Sequence, residues 1–386
     1  MSRLFGTLLA VSAAQAAGCN SRPLNAETTD ASGGGGGGLG LAGAAGGTFT
    51  PTHKVDMLFV VDDSSFTRSL QQNLLRNFPT MITTLRNAPS PPDLRIAVIS
   101  TDMGAGDGSL GGCDADGGKN GIFQFAARGS CTTSGLAPGA TYIADTGIVR
   151  NYTGNLEDVF ACIAELGETG CGFEHQLASM ARALGADGKA PPEENQGFLR
   201  DEAFLFIVLV TNEDDCSAPP GSGLFDGPDA IDAPLGFLGN YRCNEFGHLC
   251  NGVKPPRLPP SGNASDIVTL DGCVSAEDTG MLIPVANVAS QIRSLKRYPD
   301  DQIVIAAITG PNIPYTVHWV VRPGETAPRT HISASCTSAD GSFADPAVRV
   351  AQFAQAFGAN GLLLSACADN YAPGLQRLAE LLNRAP

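Results

Sequence analysis

The sequence predicts an α/β fold, a doubly wound and mostly parallel central sheet with helices on both faces, interrupted by a disulfide-stapled loop insertion. Three observations predict it. From Val55 onward, apolar strand-like runs alternate with stretches of helical period. One run, "AFLFIVLV" at 203–210, is apolar throughout, as a central parallel strand covered on both faces must be. Acid- and hydroxyl-rich turns follow several of the runs at once, and in such sheets ligands bind beyond the carboxyl ends of the strands.

Taken in order, "VDMLFVV" (55–61) reads as the first strand. Leu70, Leu74, Phe78, Ile82 and Leu85 recur at spacings of three or four, a helical stripe with a kink expected at Pro79. "LRIAVIS" (94–100) is the next strand, and "GIFQFA" (121–126), after a long Gly- and Cys-containing loop, reads as a short edge strand. Helical signals follow at Leu156–Ala164 and again through Leu177, Met180, Ala181 and Leu184. Beyond the 203–210 run, residues 216–280 are rich in Pro and Gly without clear periodicity, an insertion long enough to need staples or a function. Regularity returns with the stripe Val285, Val288, Ala289, Ile292 and Leu295, then the strand "IVIAAI" (303–308). A helix through Val350, Phe353, Ala354 and Phe357, the strand "GLLLS" (361–365) and a helix through Leu375, Leu378 and Leu382 complete the alternation.

The chain has 386 residues, 43% of them hydrophobic and 16% charged, which suffices for a full core. Its net charge of -15 argues against nucleic acid and against an anionic membrane surface, since both require a basic face. The first residues, "MSRLFGTLLAVSAAQAAGCN", hold one Arg, a short apolar stretch from Leu4 to Ala14, and the small residues Ala16, Ala17 and Gly18 before Cys19. That is an export signal too short to span a bilayer. It resembles the signal of bacterial lipoproteins, whose cysteine is lipidated and becomes the mature N-terminus; Ala16 stands where that family usually has Leu. An ordinary secretory signal is the alternative. Residues 20–50 include six consecutive glycines at 33–38 and almost no charge, the composition of a flexible tether. The expected organisation is therefore a signal with lipidated Cys19 over 1–19, a tether over 20–50 and one domain over 51–386. A lipid anchor, followed by Asn20, places the protein in the cell envelope, with the outer membrane expected.

If Cys19 carries lipid, ten of the eleven cysteines remain, an even number that in an exported chain reads as five disulfides. The expected pairs are Cys113 with Cys131, Cys162 with Cys171, Cys216 with Cys273, Cys243 with Cys250, and Cys336 with Cys367, although sequence leaves connectivity open. "CNEFGHLC" offers Cys243, His248 and Cys250 to a zinc ion but no second ligand pair, and a short disulfide is the plainer reading.

The chemistry falls at the strand ends: "DDSS" after the first strand, "TD" (101–102) after the second and "TNEDDCS" (211–217) after the long buried one. Asp63, Ser64 or Ser65 can be read simply as caps of the helix that follows. Yet "VDMLFVVDDSSF", "GCGFEHQLASMARAL" and "LFIVLVTNEDDCS", in this order, resemble the von Willebrand factor type A (VWA) domain in a bacterial version, over roughly residues 53–385. The resemblance implies an α/β sandwich with a metal-ion-dependent adhesion site built from D-x-S-x-S, a Thr from a second loop and an Asp after the fourth strand. The cation, usually magnesium, completes its shell there with water and a partner's carboxylate. Carried over residue by residue, the site is degenerate. Asp62 and Ser64 match, Phe66 replaces the second Ser, and Asn212 stands where the Asp would be. Glu174 is the strong oxygen ligand of "GCGFEHQL", while Asp214 and Asp215 supply nearby charge. The metal ligands so implied are Asp62, Ser64, Glu174, Asn212, Asp214 and Asp215, for a weakly held Mg2+ or Ca2+. "DADGGKNG" (114–121) hints at a calcium loop but lacks its third acid, and a solvated turn is the alternative.

Motifs of catalysis do not occur. G-x-S-x-G, H-E-x-x-H and G-x-x-x-x-G-K-[ST] are all missing from the sequence, and His175 beside Glu174 or Asp214 beside Asp215 are neighbours common in loops. The expected function is a membrane-anchored, non-enzymatic adhesion module that binds a protein or envelope component through the strand-end face. The alternatives are a metal-free scaffold recognising partners through its Cys-rich insertion, and a hydrolase with an unrecognised site.

Overall fold

The computed structural model describes residues 53–88, 91–278 and 280–382. Cys19 and the segments expected to be a signal (1–19) and a tether (20–50) lie outside them. The chain runs β1 (Lys54–Val61), α1 (Arg68–Arg86), β2 (Asp93–Ser100), β3 (Ile143–Asp145), α2 (Leu156–Ala164), α3 (Gln176–Ala183) and β4 (Phe204–Val210). The insertion carries α4 (Tyr241–Gly247), β5 (His248–Cys250), β6 (Ile267–Leu270) and β7 (Cys273–Ser275). Then come α5 (Val285–Arg293), α6 (Pro299–Gln302), β8 (Ile303–Thr309), β9 (Tyr315–Val320), β10 (Arg329–Ser333), β11 (Cys336–Thr337) and β12 (Phe343–Ala344). The chain continues through α7 (Val348–Gln355), β13 (Gly361–Ser365) and α8 (Ala372–Leu382). Among the described helices, none is long and apolar enough to cross a membrane.

Six strands form one sheet in the order β13-β8-β4-β1-β2-β3, parallel except at the β3 edge. Because β1 has β2 on one side and β4 on the other, the strand order reverses between β1 and β4. The connection through α1 moves one way from β1 and that through α5 moves the other way from β4. Right-handed crossovers therefore put α1 and α5 on opposite faces. Side-chain alternation follows suit. Met57, Phe59 and Val61 pack with Leu74, Phe78, Phe160 and Leu375 in one core, under α1, α2 and α8. Leu58 and Val60 pack with Leu177, Val288, Ile292 and Phe353 in the other, under α3, α5 and α7. The expected α/β sandwich is the observed fold, and α1 runs unbroken through Pro79 at the loss of one backbone bond.

Two expectations about elements are corrected. Residues 121–126 are not a strand: Asn120 and Gly121 take positive φ (51° and 62°), and the segment offers β2 only the bond from Gln124 N–H to Val98 O. The edge is β3, antiparallel to β2 with Asp145 opposite Leu94. The 216–280 insertion is not structureless either, because β6 joins β9 and β10 in a second sheet and β5 pairs with β7. Sequence reading identified neither partner hairpin, and β6 alone, exposed on alternate residues, carries too little apolar signal to be seen.

The ten cysteines among the described residues are all paired, but only Cys336–Cys367 pairs as expected. The others are Cys113–Cys171, Cys131–Cys162, Cys216–Cys243 and Cys250–Cys273. Consecutive cysteines do pair in Cys216–Cys243 and Cys250–Cys273, where a nested arrangement was expected, but not in Cys113–Cys171 and Cys131–Cys162, where distant loops are folded together. Arg128 N–H donates to Cys162 O, which brings the loop carrying Cys131 to the end of α2. Cys171, Cys216 and Cys243 share one apolar cluster with Phe173, Leu224 and Phe246, with Cys113 packed against it. Cys250 faces Cys273 directly across the β5–β7 pair. The zinc alternative fails with the same observation, since both of its thiols are in disulfides.

Candidate functional site

Strand register builds the site. Val61 is level with Ser100 on β2 and Val210 on β4, and Val210 with Ile308 on β8. The next residues leave together, tied by backbone bonds from Asp62 N–H to Val210 O (2.9 Å), Thr101 N–H to Val61 O (3.2 Å) and Thr211 N–H to Ile308 O (3.0 Å). All three are buried, at the switch point where the sheet's crevice opens.

Asp62 organises this crevice. Its Oδ1 accepts from the Ser64 backbone (2.9 Å) and hydroxyl (2.8 Å), and its Oδ2 from Thr211 Oγ1 (2.8 Å). Burial raises the Asp62 pKa against those three hydrogen bonds, with the Asp63 charge adding to the rise. The cap alternative is not met: α1 starts after Thr67 with no side-chain cap, and Thr67 Oγ1 donates instead to Ser64 O. Asp63 has its own cation. Lys119 Nζ reaches its Oδ2 and lies 3.6 Å from Asp102 Oδ2, while Ser100 Oγ donates to Asp63 Oδ1 at 2.6 Å. Lys119 comes from the 114–121 stretch, which is thus a turn delivering an ammonium and not a calcium loop. Gly170 closes over Asp63, its N–H bonded to Asp63 O at 2.7 Å; a Cβ there would overlap the Asp63 carboxylate.

Glu174 comes in beside Asp62. Thr101 Oγ1 donates to its Oε2, while its Oε1 has no partner, and Asn212 Oδ1 is likewise buried and unpartnered. Glu174, Glu213, Asp214 and Asp345 line a cavity of about 20 Å³, room for one water or ion. Burial holds Glu174 well above the usual carboxylate range, with the charges of Asp62 and Glu213 adding to it. Glu213 is raised in the same way by burial, then by Asp345 and Asp62, and Asp345 is pushed up to about 7 by burial.

Asp214 and Asp215, expected to lend the site charge, are engaged elsewhere. Asp214 accepts from the backbone N–H groups of Val348, Arg349 and Val350 at the start of α7, and pairs with His248 Nε2 at 2.8 Å. Burial would raise its pKa, but His248 and those N–H groups hold it below the ordinary value. Asp215 accepts from Leu177 N–H at the start of α3 (3.0 Å) and from Ser217 Oγ (2.6 Å), and is bound by the fully buried Arg349 guanidinium at 3.0 Å. Each acid thus satisfies the orphan donors of a helix N-terminus. His175, next to Glu174, points to a different cavity; burial lowers its pKa, opposed by Asp215, Asp102, Asp116 and the Gly104 backbone.

The available donors are all oxygens, from Asp62, Ser64, Thr101, Glu174 and Asn212, which suits a hard cation in kind. Two of those oxygens, Glu174 Oε1 and Asn212 Oδ1, have no other use. The charge is low, however, and among the described residues no three His, Cys, Asp or Glu side chains group as metal ligands. Phe66, in place of the second Ser of the pattern, contributes nothing to a cation. It is 71% exposed with φ 72°, a left-handed conformation costly for a bulky side chain, and its ring lies 6.1 Å from that of Phe343. Asp345 and Lys119 escaped sequence reasoning, while Thr101, Thr211 and Glu213 lay within the strand-end turns "TD" and "TNEDD" without being named as site residues. "TD" right after β2 was a usable signal for Thr101, whereas Asp345 follows a two-residue strand that no pattern announces.

No protein-family model and no curated protein matches the chain. Among solved structures it is similar to the pilus adhesin SpaC from Lactobacillus rhamnosus GG in its open conformation, at 11% identity and a TM-score of 0.36, over 86% of this chain and 30% of the adhesin. A second form of that adhesin gives 11% identity and a TM-score of 0.35, over 86% and 31%. The chain spans about a third of the adhesin's length, and a likeness this distant bears on neither ligand nor partner.

Proposed function

We propose that this chain is an extracytoplasmic binding module of the VWA type, tethered to the outer membrane through a lipidated Cys19, whose strand-end face engages a protein or envelope partner. The observation that carries the reading is the crevice at the ends of β1, β2 and β4. There Glu174 Oε1 and Asn212 Oδ1 are buried without partners beside Asp62 and Ser64, and the exposed Phe66 that follows in the same turn has a strained backbone. Buried polar atoms left open and backbone strain concentrate at sites that act on something else. A divalent cation, Mg2+ or Ca2+, held weakly by Asp62, Ser64, Thr101, Glu174 and Asn212, completes this reading and would offset the repulsion among the carboxylates. Five disulfides agree with an oxidising compartment.

A metal-free scaffold is the second reading, favoured by the low charge of the donor set and by the diversion of Asp214 and Asp215 to helix ends. Recognition then belongs to the insertion, whose Ile267 and Val253 are exposed. A cross-linking pull-down from intact cells, with and without chelator, separates the two. Loss of the captured partner on chelation, and in Asp62→Ala without chelator, supports the cation; capture unchanged by both supports the scaffold. Cys19→Ser should release the protein from the membrane fraction, and wild type already free of membranes would contradict the anchor.

A further inference from the structure

A second cavity opens between α3, α5 and the loop after β2, with a volume of about 420 Å³, within the range of small-molecule sites. Glu174 and His175 are adjacent in sequence yet line separate cavities, the acid pocket and this cleft. The cleft exists because α3 presents small residues to it. Ala178 and Ala181, three positions apart on one face of α3, stand across from Val288 and Gln291, three apart on α5. Larger side chains on that face would close the gap.

His175 is 3% exposed and borders the cleft, and neither of its ring nitrogens makes a well-formed hydrogen bond, the Gly104 backbone contributing only a weak one. An imidazole buried with its nitrogens so poorly met is costly unless something enters to meet them. Beside it the floor is apolar, with Ala181 and Val288 buried. The mouth carries both signs of charge: Asp116 and Lys189 are exposed there, and Arg182 lies 3.6 Å from Asp187. Among the described residues lining the cleft there is no Phe, Tyr or Trp, and the one ring, that of His175, is buried 5.6 Å from the Phe225 ring, so a nucleobase or a sugar ring finds no open stacking platform.

From this arrangement we infer that the cleft binds a small zwitterion of the amino-acid class. Its ammonium and carboxylate pair with Asp116 and Lys189 at the mouth, and a short side chain bearing a hydrogen-bonding group reaches His175 on the floor. A neutral imidazole supplies one donor and one acceptor, which a hydroxyl can meet with its own pair. This inference does not depend on the cation site, and its test can be run in chelator.

The test titrates L-threonine, its near-isostere L-valine and the uncharged glycerol into the full chain at constant pH in chelator. Calorimetry gives the affinities, and the ring signals of His175 are followed by NMR, where only five histidines contribute. Threonine should shift the His175 signals to saturation and bind about tenfold more tightly than valine, as expected for one net hydrogen bond, and glycerol should not bind. Ala181→Leu, which fills the cleft, should abolish binding of both amino acids. Should that variant not fold, His175→Gln is the substitute, with an expected loss of the preference for threonine. Absence of a saturable shift with either amino acid would overturn the inference. So would equal affinity for threonine and valine, tighter binding of glycerol, or threonine binding unchanged in the folded variant.

Discussion

Thr211 Oγ1 donates to Asp62 Oδ2 at 2.8 Å and so ties the end of β4 to the end of β1 at the point where the sheet changes direction. The same hydroxyl accepts from Gln176 Nε2 at 2.9 Å, which brings the start of α3 into the junction. Thr211→Val keeps the shape and removes the donor, leaving a buried carboxylate oxygen unmet. The expected cost is about 1–3 kcal/mol, read as a lower midpoint in denaturant with an unchanged slope. A neutral result would mean that water already serves Asp62.

The acid pocket predicts how stability depends on pH. Asp345 is pushed from its ordinary 3.8 to about 7 by burial, and Glu174 and Glu213 are raised as well. A carboxyl raised in the folded state keeps its proton while the unfolded chain has lost it. Stability is therefore greatest below the ordinary carboxylate range and falls as pH climbs toward 7. Asp214, held low, acts in the opposite sense only below its ordinary value of 3.8. Melting temperatures from pH 4.5 to 7.5 should fall in wild type and fall less in Asp345→Asn; parallel curves would contradict the burial of Asp345.

Calorimetry on the domain tests the cation. Mg2+ or Ca2+ should bind more weakly than at a site with the full ligand pattern, and binding should disappear in Asp62→Ala. The double variant Phe66→Ser with Asn212→Asp restores a hydroxyl and a charge, and charge count tunes affinity in oxygen sites, so it should bind more tightly than wild type. Unchanged affinity in the double variant would break the correspondence with the VWA pattern while leaving the fold intact.

Peptide mapping without reduction should recover Cys113–Cys171, Cys131–Cys162, Cys216–Cys243, Cys250–Cys273 and Cys336–Cys367. Replacing Cys250 and Cys273 together by Ala should cost about 2–4 kcal/mol. Recovery of Cys243 linked to Cys250 would instead restore the arrangement that close spacing suggests.

The sheet was legible because burial on both faces writes long apolar runs in β1, β2, β4 and β8, and these, with the half-buried edge strand β13, announce themselves within a residue or two of their ends. Asp62, Ser64 and Glu174 could be named because they follow such runs or share a motif. What local pattern could not carry is pairing over distance. Lys119 meets Asp63 across 56 residues, Asp345 joins the acid pocket from a loop beyond the second sheet, and Cys113 pairs with Cys171 across 58 residues. The acids of "TNEDD" mislead for a related reason, since their spacing does not reveal that Asp214 and Asp215 face helix N-termini assembled from residues 177 and 348–350.

In the proposed function the partner docks at the strand-end face around Asp62. Phe66 stands on that face, while Ile148, 94% exposed, follows β3 at the opposite end of the sheet, where Asp145 pairs with Leu94 at the start of β2. Placing a photo-cross-linking amino acid at position 66 or at position 148 in intact cells compares the two ends with equally accessible probes. A discrete cross-linked adduct is expected from position 66 and none from position 148. Adducts from position 148 alone, or the same adducts from both, would contradict that docking.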